Sequence, residues 1–290
     1  MIKQTRFLIL ALFFLMAASG CSGCLVSHFA FHPEKVPADL PPLNRPGVLE
    51  LFLSSTDNIR IHCFYIENKS SDNVVLYLHG NAGNAYHRLN DALTLSQTGT
   101  SVLLLDYRGF GKSEGSPSED GIYDDTFSAF SFLTHEKHFD AKNIFLLGRS
   151  IGTTAAIHIA QHKTIGGLIL VTPLSSGRDM ADVMNLGFLS WVAGSSFDNV
   201  SKAKHIISPV LVIHGDRDGI TPIRMGKKVF QALPEKTKTF ITVPGAGHND
   251  LIQVAGESFW LWISEFMQNS AATGSGSDLS LTMQLNAGPF

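Results

Sequence analysis

Strong charge of either sign is missing from this chain. Asp, Glu, Lys and Arg make up 16% of 290 residues, and 22 basic against 25 acidic residues leave a formal net charge of −3. No block of Lys and Arg stands out along the sequence. Nucleic-acid binding depends on concentrated positive charge, so the composition excludes an electrostatically driven nucleic-acid partner.

Cysteine is also scarce, and its positions predict no metal site. The three cysteines are Cys21, Cys24 and Cys63, and no Cys/His spacing matches a zinc site. Cys24 and Cys63 could pair outside the cytoplasm, but Cys63 lies in a predicted strand, which favours a small buried thiol. His158 and His162 are spaced i, i+4 without an acidic partner nearby in sequence, so we interpret them as exposed or core-lining residues rather than metal ligands.

Long apolar runs are confined to the N-terminus. Lys3 and Arg6 precede an apolar run over residues 7–17, which is short for a bilayer span. The sequence ASGC follows at 18–21 and resembles the bacterial lipobox, in which cleavage before the cysteine leaves it acylated, although Ala18 stands where Leu is usual. An ordinary secretory signal and an uncleaved anchor helix are the alternatives.

These features predict a lipoprotein-type signal peptide at 1–20 and a lipidated Cys21. Several acyl chains on one cysteine would hold the protein to a membrane firmly, since one chain alone binds only marginally. The expected location is the bacterial cell envelope, and Ser22 favours the outer membrane if the host is Gram-negative.

The rest of the chain divides into a linker, a domain and a tail. Five prolines between residues 21 and 46 predict a stiff extended spacer. Residues 47–268 carry regular patterns and form the predicted domain, while residues 269–290 are rich in Ser, Gly, Ala and Thr and predict a disordered tail.

Within the domain, apolar strands alternate with amphipathic helices. A hairpin is predicted from Val48–Leu53 and Ile59–Ile66. It is followed by strands at 74–78, 101–105, 144–147, 168–171, 210–213 and 239–243 and helices at 86–96, 120–137, 151–162, 222–233 and 250–267. This alternation predicts an α/β fold with a mostly parallel twisted sheet covered by helices on both faces.

One stretch interrupts the alternation. Residues 174–208 are too long for a simple connection and too apolar for a free loop. We interpret them as a small helical cap over the carboxyl edge of the sheet. The alternative is a crossover helix with long flanks.

A candidate nucleophile lies between one predicted strand and the next helix. The sequence GRSIG at 148–152 reads G-x-S-x-G in that position, which is the context of a nucleophile elbow. Such a turn exposes Ser150 at the carboxyl edge of the sheet and aims the Ile151 backbone N–H at the same site. Arg149 could pair structurally or contact substrate.

Residues after two later strands can complete a catalytic triad. His248 follows the last predicted strand and is the expected general base. Two carboxylates, Asp216 and Asp218, compete to orient it. Asp218 lies deeper in its loop with room to reach His248, whereas Asp216 is better placed to order the turn, so we assign Asp218.

An oxyanion hole needs a second donor beside Ile151. The sequence HGNAGN at 79–84 follows the strand 74–78, where an α/β-hydrolase supplies that donor. We assign it to the Asn81 backbone N–H and interpret His79 as a residue that shapes the loop.

Five motifs in order resemble the α/β-hydrolase superfamily. They are LYLHGNAGN at 76–84, DYRGFGKSEG at 106–115, GRSIG at 148–152, HGDRD at 214–218 and GH at 247–248. Over residues 48–268 the chain is most similar to the abhydrolase-domain group of membrane-tethered serine hydrolases, which includes eukaryotic protein depalmitoylases. The resemblance implies Ser150, Asp218 and His248 as the triad, without implying the depalmitoylase substrate.

The expected function is a serine hydrolase that cleaves a carboxylic ester or thioester through an acyl-enzyme, without cofactor or metal. The expected partners are a small-molecule or lipid-like acyl ester and the membrane that holds the anchor. A peptidase or amidase is the nearest alternative, and a membrane-anchored binding protein on a hydrolase fold is another. Ser in the elbow excludes a hydrolase with an Asp nucleophile.

Overall fold

The structure is a computed structural model that describes residues 27, 30–37, 40–187, 190–235 and 238–273. The predicted signal peptide, Cys21, Cys24 and residues 274–290 of the predicted tail lie outside these residues. Within the described residues, no helix is both long and apolar enough to cross a bilayer.

The core of the fold is one sheet, in which the described residues form eight strands. The strands are β1 Val48–Ser54, β2 Arg60–Ile66, β3 Val74–Leu78, β4 Ser101–Leu105, β5 Ile144–Arg149, β6 Gly167–Val171, β7 Val210–Gly215 and β8 Lys238–Val243. Their order is β1-β2-β4-β3-β5-β6-β7-β8. The predicted β1–β2 hairpin is confirmed; β2 also runs antiparallel to β4, and the remaining pairs are parallel.

Helices cover both faces of the sheet because its central strands are apolar on both sides. Every residue of β3, β4, β5 and β6 is buried. The helices are α1 Ala85–Gln97, α2 Glu119–Ser131, α3 Gly152–Ala160, α4 Gly177–Val183, α5 Ser190–Ala193, α6 Asn199–Ala203, α7 Ile223–Ala232, α8 Leu251–Ala255 and α9 Glu257–Thr273. Buried residues of α2, α3 and α7 pack on one face, and those of α1, α8 and α9 pack on the other. The predicted α/β-hydrolase architecture is confirmed.

The segment between β6 and β7 holds three short helices among its described residues, α4, α5 and α6. The alternative of a single crossover helix with long flanks is therefore wrong. Leu174 and Phe197 of this segment are buried against the core, so the segment is packed on the sheet rather than held away from it.

Two helix boundaries differ from the sequence prediction. A single helix is predicted to run to about residue 137. In the structure its α-helical part ends at Ser131, and a π-helical turn, Phe132–Glu136, follows directly. The last helix is divided at Gly256 and then runs to Thr273, so the prediction of a tail from residue 269 is wrong for residues 269–273.

Part of the predicted linker packs on the domain, so the prediction of a spacer over residues 21–46 is wrong there. We call residues 30–36 the strap. Phe31 is 5% exposed, and its ring lies edge-on to Phe197 with centroids 5.9 Å apart. Pro33 and Lys35 form isolated parallel bridges with Gly83 and Gly111. The prolines do predict an extended chain, but an extended chain can also pair with backbone.

Cys63 lies in β2 and is wholly buried, without a disulfide among the described residues. Burial raises the pKa of its thiol well above the usual value. This agrees with the interpretation of Cys63 as a small buried thiol.

Replacing Phe31 by Ala tests whether the strap belongs to the folded domain. Loss of a buried aromatic side chain should lower the free energy of unfolding by about 3–5 kcal/mol. Leu40→Ala is the control, because Leu40 is 41% exposed and should change stability by no more than about 0.5 kcal/mol. Equal denaturation midpoints for the two variants would contradict the packing of the strap.

Candidate active site

Ser150 lies on a sharp turn between β5 and α3. Its φ is 53°, a left-handed conformation that non-glycine residues rarely adopt, and its backbone N–H donates to the Val171 carbonyl at 2.9 Å. A Cβ at Gly152 would clash with the Leu78 carbonyl oxygen, and one at Gly148 would clash with the backbone of Thr153. Only glycine allows strand, turn and helix to approach this closely, so these two glycines define where Ser150 lies.

The structure brings Ser150 and His248 together from different strands. The distance from His248 Nε2 to Ser150 Oγ is 3.0 Å, and from His248 Nδ1 to Asp218 Oδ2 it is 2.8 Å. A carboxylate can only accept, so Nδ1 carries the proton of a neutral ring and Nε2 can accept the Ser150 hydroxyl proton. This is the arrangement a general base requires.

Asp218 is buried and strongly hydrogen-bonded. Its Oδ1 accepts the backbone N–H groups of Ile220 at 2.9 Å and Thr221 at 2.8 Å. Burial alone would raise the pKa of Asp218, but hydrogen bonds from His214 and His248 outweigh it and hold that pKa well below the usual value. The carboxylate therefore stays charged at neutral pH and can stabilise a protonated His248.

Asp216, the competing carboxylate, lies elsewhere. It is exposed, and its Oδ1 accepts the Gly245 N–H at 2.7 Å. This contact links the loop after β7 to the loop after β8, which fits the interpretation that Asp216 orders a turn. The structure thus places Asp218 rather than Asp216 against His248.

Thr221 and His214 support the acid and were missed in the sequence. Thr221 Oγ1 lies 3.0 Å from both Asp218 Oδ2 and His248 Nδ1. His214 is fully buried, with Nε2 2.7 Å from the Thr221 carbonyl and 3.4 Å from Asp218 Oδ2. His214 belongs to the HGDRD motif. No sequence spacing predicts that its side chain, at the end of β7, contacts residues of the loop that follows the same strand.

The predicted oxyanion donors lie beside Ser150. Asn81 and Ile151 line the same cavity as Ser150, and Gly80 passes so close that a Cβ there would be 3.4 Å from Ser150 Cβ. Neither the Asn81 nor the Ile151 N–H donates to another group in the described part of the chain. Both donors are thus free to bind a charge that develops on a substrate.

A buried carboxylate fixes the loop that carries Asn81. Asp106 Oδ1 accepts the Ala85 N–H at 2.7 Å and lies 3.3 Å from His79 Nε2. Burial would raise the pKa of Asp106, yet its contacts with His62 and His79 lower it below the usual value. His79 Nδ1 also bonds the Gly80 carbonyl at 2.7 Å, so His79 shapes the loop as interpreted from the sequence.

The strap holds the same loop from outside. The His32 backbone N–H donates to Asn81 Oδ1 at 2.8 Å, and Asn84 Nδ2 donates to the Glu34 carbonyl at 3.2 Å. The strap also bridges to Gly83, between these two asparagines. A segment that the composition marked as a spacer is therefore part of the wall of the site.

A cavity of about 580 Å³ opens at Ser150. Its apolar lining comes mainly from the segment between β6 and β7, with residues Leu174, Met180, Ala181, Val183, Met184, Leu186, Ala193 and Phe197. Arg88 and Arg149 also line it, and the described lining includes no Asp or Glu. Arg149 Nη2 donates to the His248 and Asn249 carbonyls at 3.3 Å each, so Arg149 both braces the His248 loop and contacts the cavity.

The remaining histidine pair has a packing role. His158 stacks on Tyr123 with ring centroids 3.9 Å apart, and His162 is exposed. Burial and the nearby positive charge of Lys202 lower the pKa of His158 to about 4. No cluster of three potential metal ligands occurs within the described residues.

The chain is similar to known proteins in sequence. The sequence model of the serine aminopeptidase family, S33, matches residues 69–202. Human alpha/beta hydrolase domain-containing protein 17C is 33% identical over 207 residues, which are 70% of this chain and 61% of that protein. These similarities support the α/β-hydrolase superfamily, whose fold the chain has.

Similarities at lower identity extend over most of the chain. An uncharacterised protein of Mycobacterium tuberculosis is 28% identical over 279 residues, which are 94% of the chain and 99% of that protein. The solved structure of a Pyrococcus furiosus esterase superposes with a TM-score of 0.67 at 20% identity, covering 82% of this chain and 98% of the esterase. At that identity the esterase shows the shared fold alone.

The contact between His32 and Asn81 should affect turnover. His32→Pro removes the N–H that bonds Asn81 Oδ1, which should loosen one oxyanion donor and lower kcat about tenfold with little change in KM. The measurement is steady-state hydrolysis of a p-nitrophenyl ester.

Val36→Pro is the matched control. Like His32, Val36 is followed by a proline, so the two substitutions strain the chain in the same way. The N–H that Val36→Pro removes donates to the Gly111 carbonyl at 3.0 Å and not to Asn81. Val36→Pro should keep the wild-type kcat even if its melting temperature falls as far as that of His32→Pro. The same kcat in both variants would show that the strap has no influence on the oxyanion loop.

Proposed function

We propose that this hydrolase is a serine esterase or thioesterase that acts through an acyl-enzyme. Ser150 is the nucleophile, His248 the general base, and Asp218 the carboxylate that orients and balances His248. The observation that carries the proposal is the continuous contact from Ser150 Oγ through the His248 ring to Asp218, beside two unpaired backbone donors.

The proposed reaction proceeds in two acyl transfers. Ser150 Oγ attacks the carbonyl carbon while its proton passes to His248 Nε2, and the N–H groups of Asn81 and Ile151 bind the resulting oxyanion. His248 then gives its proton to the departing alcohol or thiol. A water molecule attacks the acyl-enzyme, its proton passes to His248 Nε2 and then to Ser150, and a carboxylic acid is released.

The cavity supports an acyl ester as substrate. A volume of about 580 Å³ with a mostly apolar lining is in the range of ligand sites for small molecules and can take a hydrocarbon chain. The similar fold of the Pyrococcus furiosus esterase is consistent with this substrate class. An intact triad argues against the alternative of a binding protein that has no activity.

An aminopeptidase is the second candidate, and the description of the matching family favours it. Recognition of a free α-amino group calls for a negative partner near the nucleophile. The charged side chains in the described lining are Arg88 and Arg149, which would repel an ammonium group. The geometry therefore supports ester cleavage better.

We also propose that the hydrolase is held to a membrane of the bacterial envelope through lipid on Cys21. The supporting observation is the ASGC sequence at 18–21 after a short apolar run. Cys21 precedes the first residue of the strap by nine positions. Nine residues of chain span at most about 32 Å, so the anchor would keep the cavity near the membrane surface.

Variants of the triad and its neighbour test the assignment. Ser150→Ala should abolish both ester turnover and labelling by a fluorophosphonate probe. Asp218→Asn should lower kcat by about 10⁴, because the imidazole loses its orientation and charge partner. Asp216→Asn should cost less than about tenfold, since it loses only a turn contact. A larger loss for Asp216→Asn than for Asp218→Asn would overturn the assignment of the acid.

The anchor is tested by metabolic labelling in a bacterial host. Radiolabelled palmitate should enter the wild-type protein and be absent from Cys21→Ala. Cys24→Ala is the control and should retain the label. Label that persists in Cys21→Ala would disprove lipidation at Cys21.

A further inference from the structure

We infer that the cavity selects acyl esters whose alcohol part carries an anionic group, which Arg88 binds with the support of Arg149. This inference rests on the proposed esterase function and names its substrate class. It starts from the balance of charge in the lining, which holds two arginines and, among the described residues, no carboxylate.

Among the described residues, neither Arg88 nor Arg149 forms an ion pair with a carboxylate. Arg108 shows the contrast within the same chain, because its guanidinium bonds both Asp57 and Asp125 at 2.8 Å. Arg149 is buried and Arg88 is half-buried, and positive charge without a carboxylate partner is unfavourable there, so two such guanidinium groups at one cavity favour an anionic ligand.

Arg88 has unused hydrogen-bonding capacity at the oxyanion loop. It lies in the first turn of α1, and its Nη2 donates to the Ala82 carbonyl at 3.2 Å. Its Nε is buried and has no hydrogen-bond partner in the described structure. Solvent cannot reach this Nε, but Nη1 also forms no hydrogen bond within the described residues, and a phosphate or carboxylate oxygen in the cavity can accept from it.

Asp91, one turn further along α1, is an acidic group near both arginines. Burial raises the pKa of Asp91, and the charges of Arg149 and Arg88 oppose that shift. Tyr77 donates to Asp91 Oδ2 at 3.4 Å. One carboxylate near two guanidinium groups leaves the part of the cavity wall around Arg88 and Arg149 with net positive charge.

The position of Arg149 indicates which part of the substrate is anionic. His248 delivers a proton to the departing alcohol, so the alcohol lies towards His248. Arg149 bonds the His248 and Asn249 carbonyls and is therefore on that side of Ser150. The apolar wall formed by Leu174, Met180 and Phe197 remains for the acyl chain.

The test compares two esters that share one acyl chain. The full-length protein is assayed with 1-decanoylglycerol and with its 3-phosphate, both below their critical micelle concentrations, and with p-nitrophenyl decanoate. The wild type should have a kcat/KM at least about tenfold higher for the phosphate ester than for the neutral ester. A charge-assisted hydrogen bond from a guanidinium to the phosphate is strong enough to produce this difference. Raising the salt concentration should reduce this preference.

Variants of Arg88 then assign the preference. Arg88→Gln should abolish it, because KM for the phosphate ester should rise far more than KM for 1-decanoylglycerol or p-nitrophenyl decanoate, and Arg88→Lys should retain part of it. Arg45→Gln is the matched control, because it removes the same positive charge from a residue that does not line the cavity. Arg45 donates to Asn90 Oδ1, and Asn90 lies in α1 together with Arg88. It should keep the full preference.

Three results would count against the inference. Equal kcat/KM for the phosphate and neutral esters would overturn it and leave the esterase function intact. An equal loss on all three esters in Arg88→Gln would also overturn it, since Arg88 would then only support the oxyanion loop. No Ser150-dependent turnover of any of the three esters would instead refute the proposed function, and the inference with it.

Discussion

The sharp turn at Ser150 is the constraint on which the rest of the site depends. A serine at φ 53° is strained by about 1–3 kcal/mol, and the surrounding structure must hold it there. Close packing of Gly148 against Thr153 and of Gly152 against Leu78 does so, and the Val171 carbonyl accepts the Ser150 N–H. Any side chain at these glycines would move Ser150 away from His248 and from the Asn81 and Ile151 backbone N–H groups.

The site is built at the carboxyl ends of parallel strands, and two of its loops are held by buried polar contacts. Asp106 fixes the loop after β3, and Thr221 and His214 fix Asp218 after β7. These contacts keep charges where the proposed mechanism needs them, while the apolar sheet keeps the loops in register. The strap adds a further support from a part of the chain outside the sheet.

The sheet, the elbow and the placement of Ser150, Asp218 and His248 together could be predicted, because apolar runs and motif order are local signals. The catalytic roles of these residues stay predictions. The strap could not be predicted: its prolines indicate an extended chain, but whether that chain crosses water or pairs with Gly83 and Gly111 depends on contacts about 50 residues or more away in sequence. The unpaired Arg88 Nε was equally invisible, since pairing is a property of the folded cavity.

The most direct test of the central claim is a crystal structure of the enzyme after reaction with a fluorophosphonate. The account predicts phosphorus bonded to Ser150 Oγ, with one phosphonyl oxygen about 2.7–3.1 Å from the backbone nitrogens of both Asn81 and Ile151. His248 would remain between the adduct and Asp218. An adduct on another residue, or a phosphonyl oxygen bound by neither nitrogen, would contradict the account.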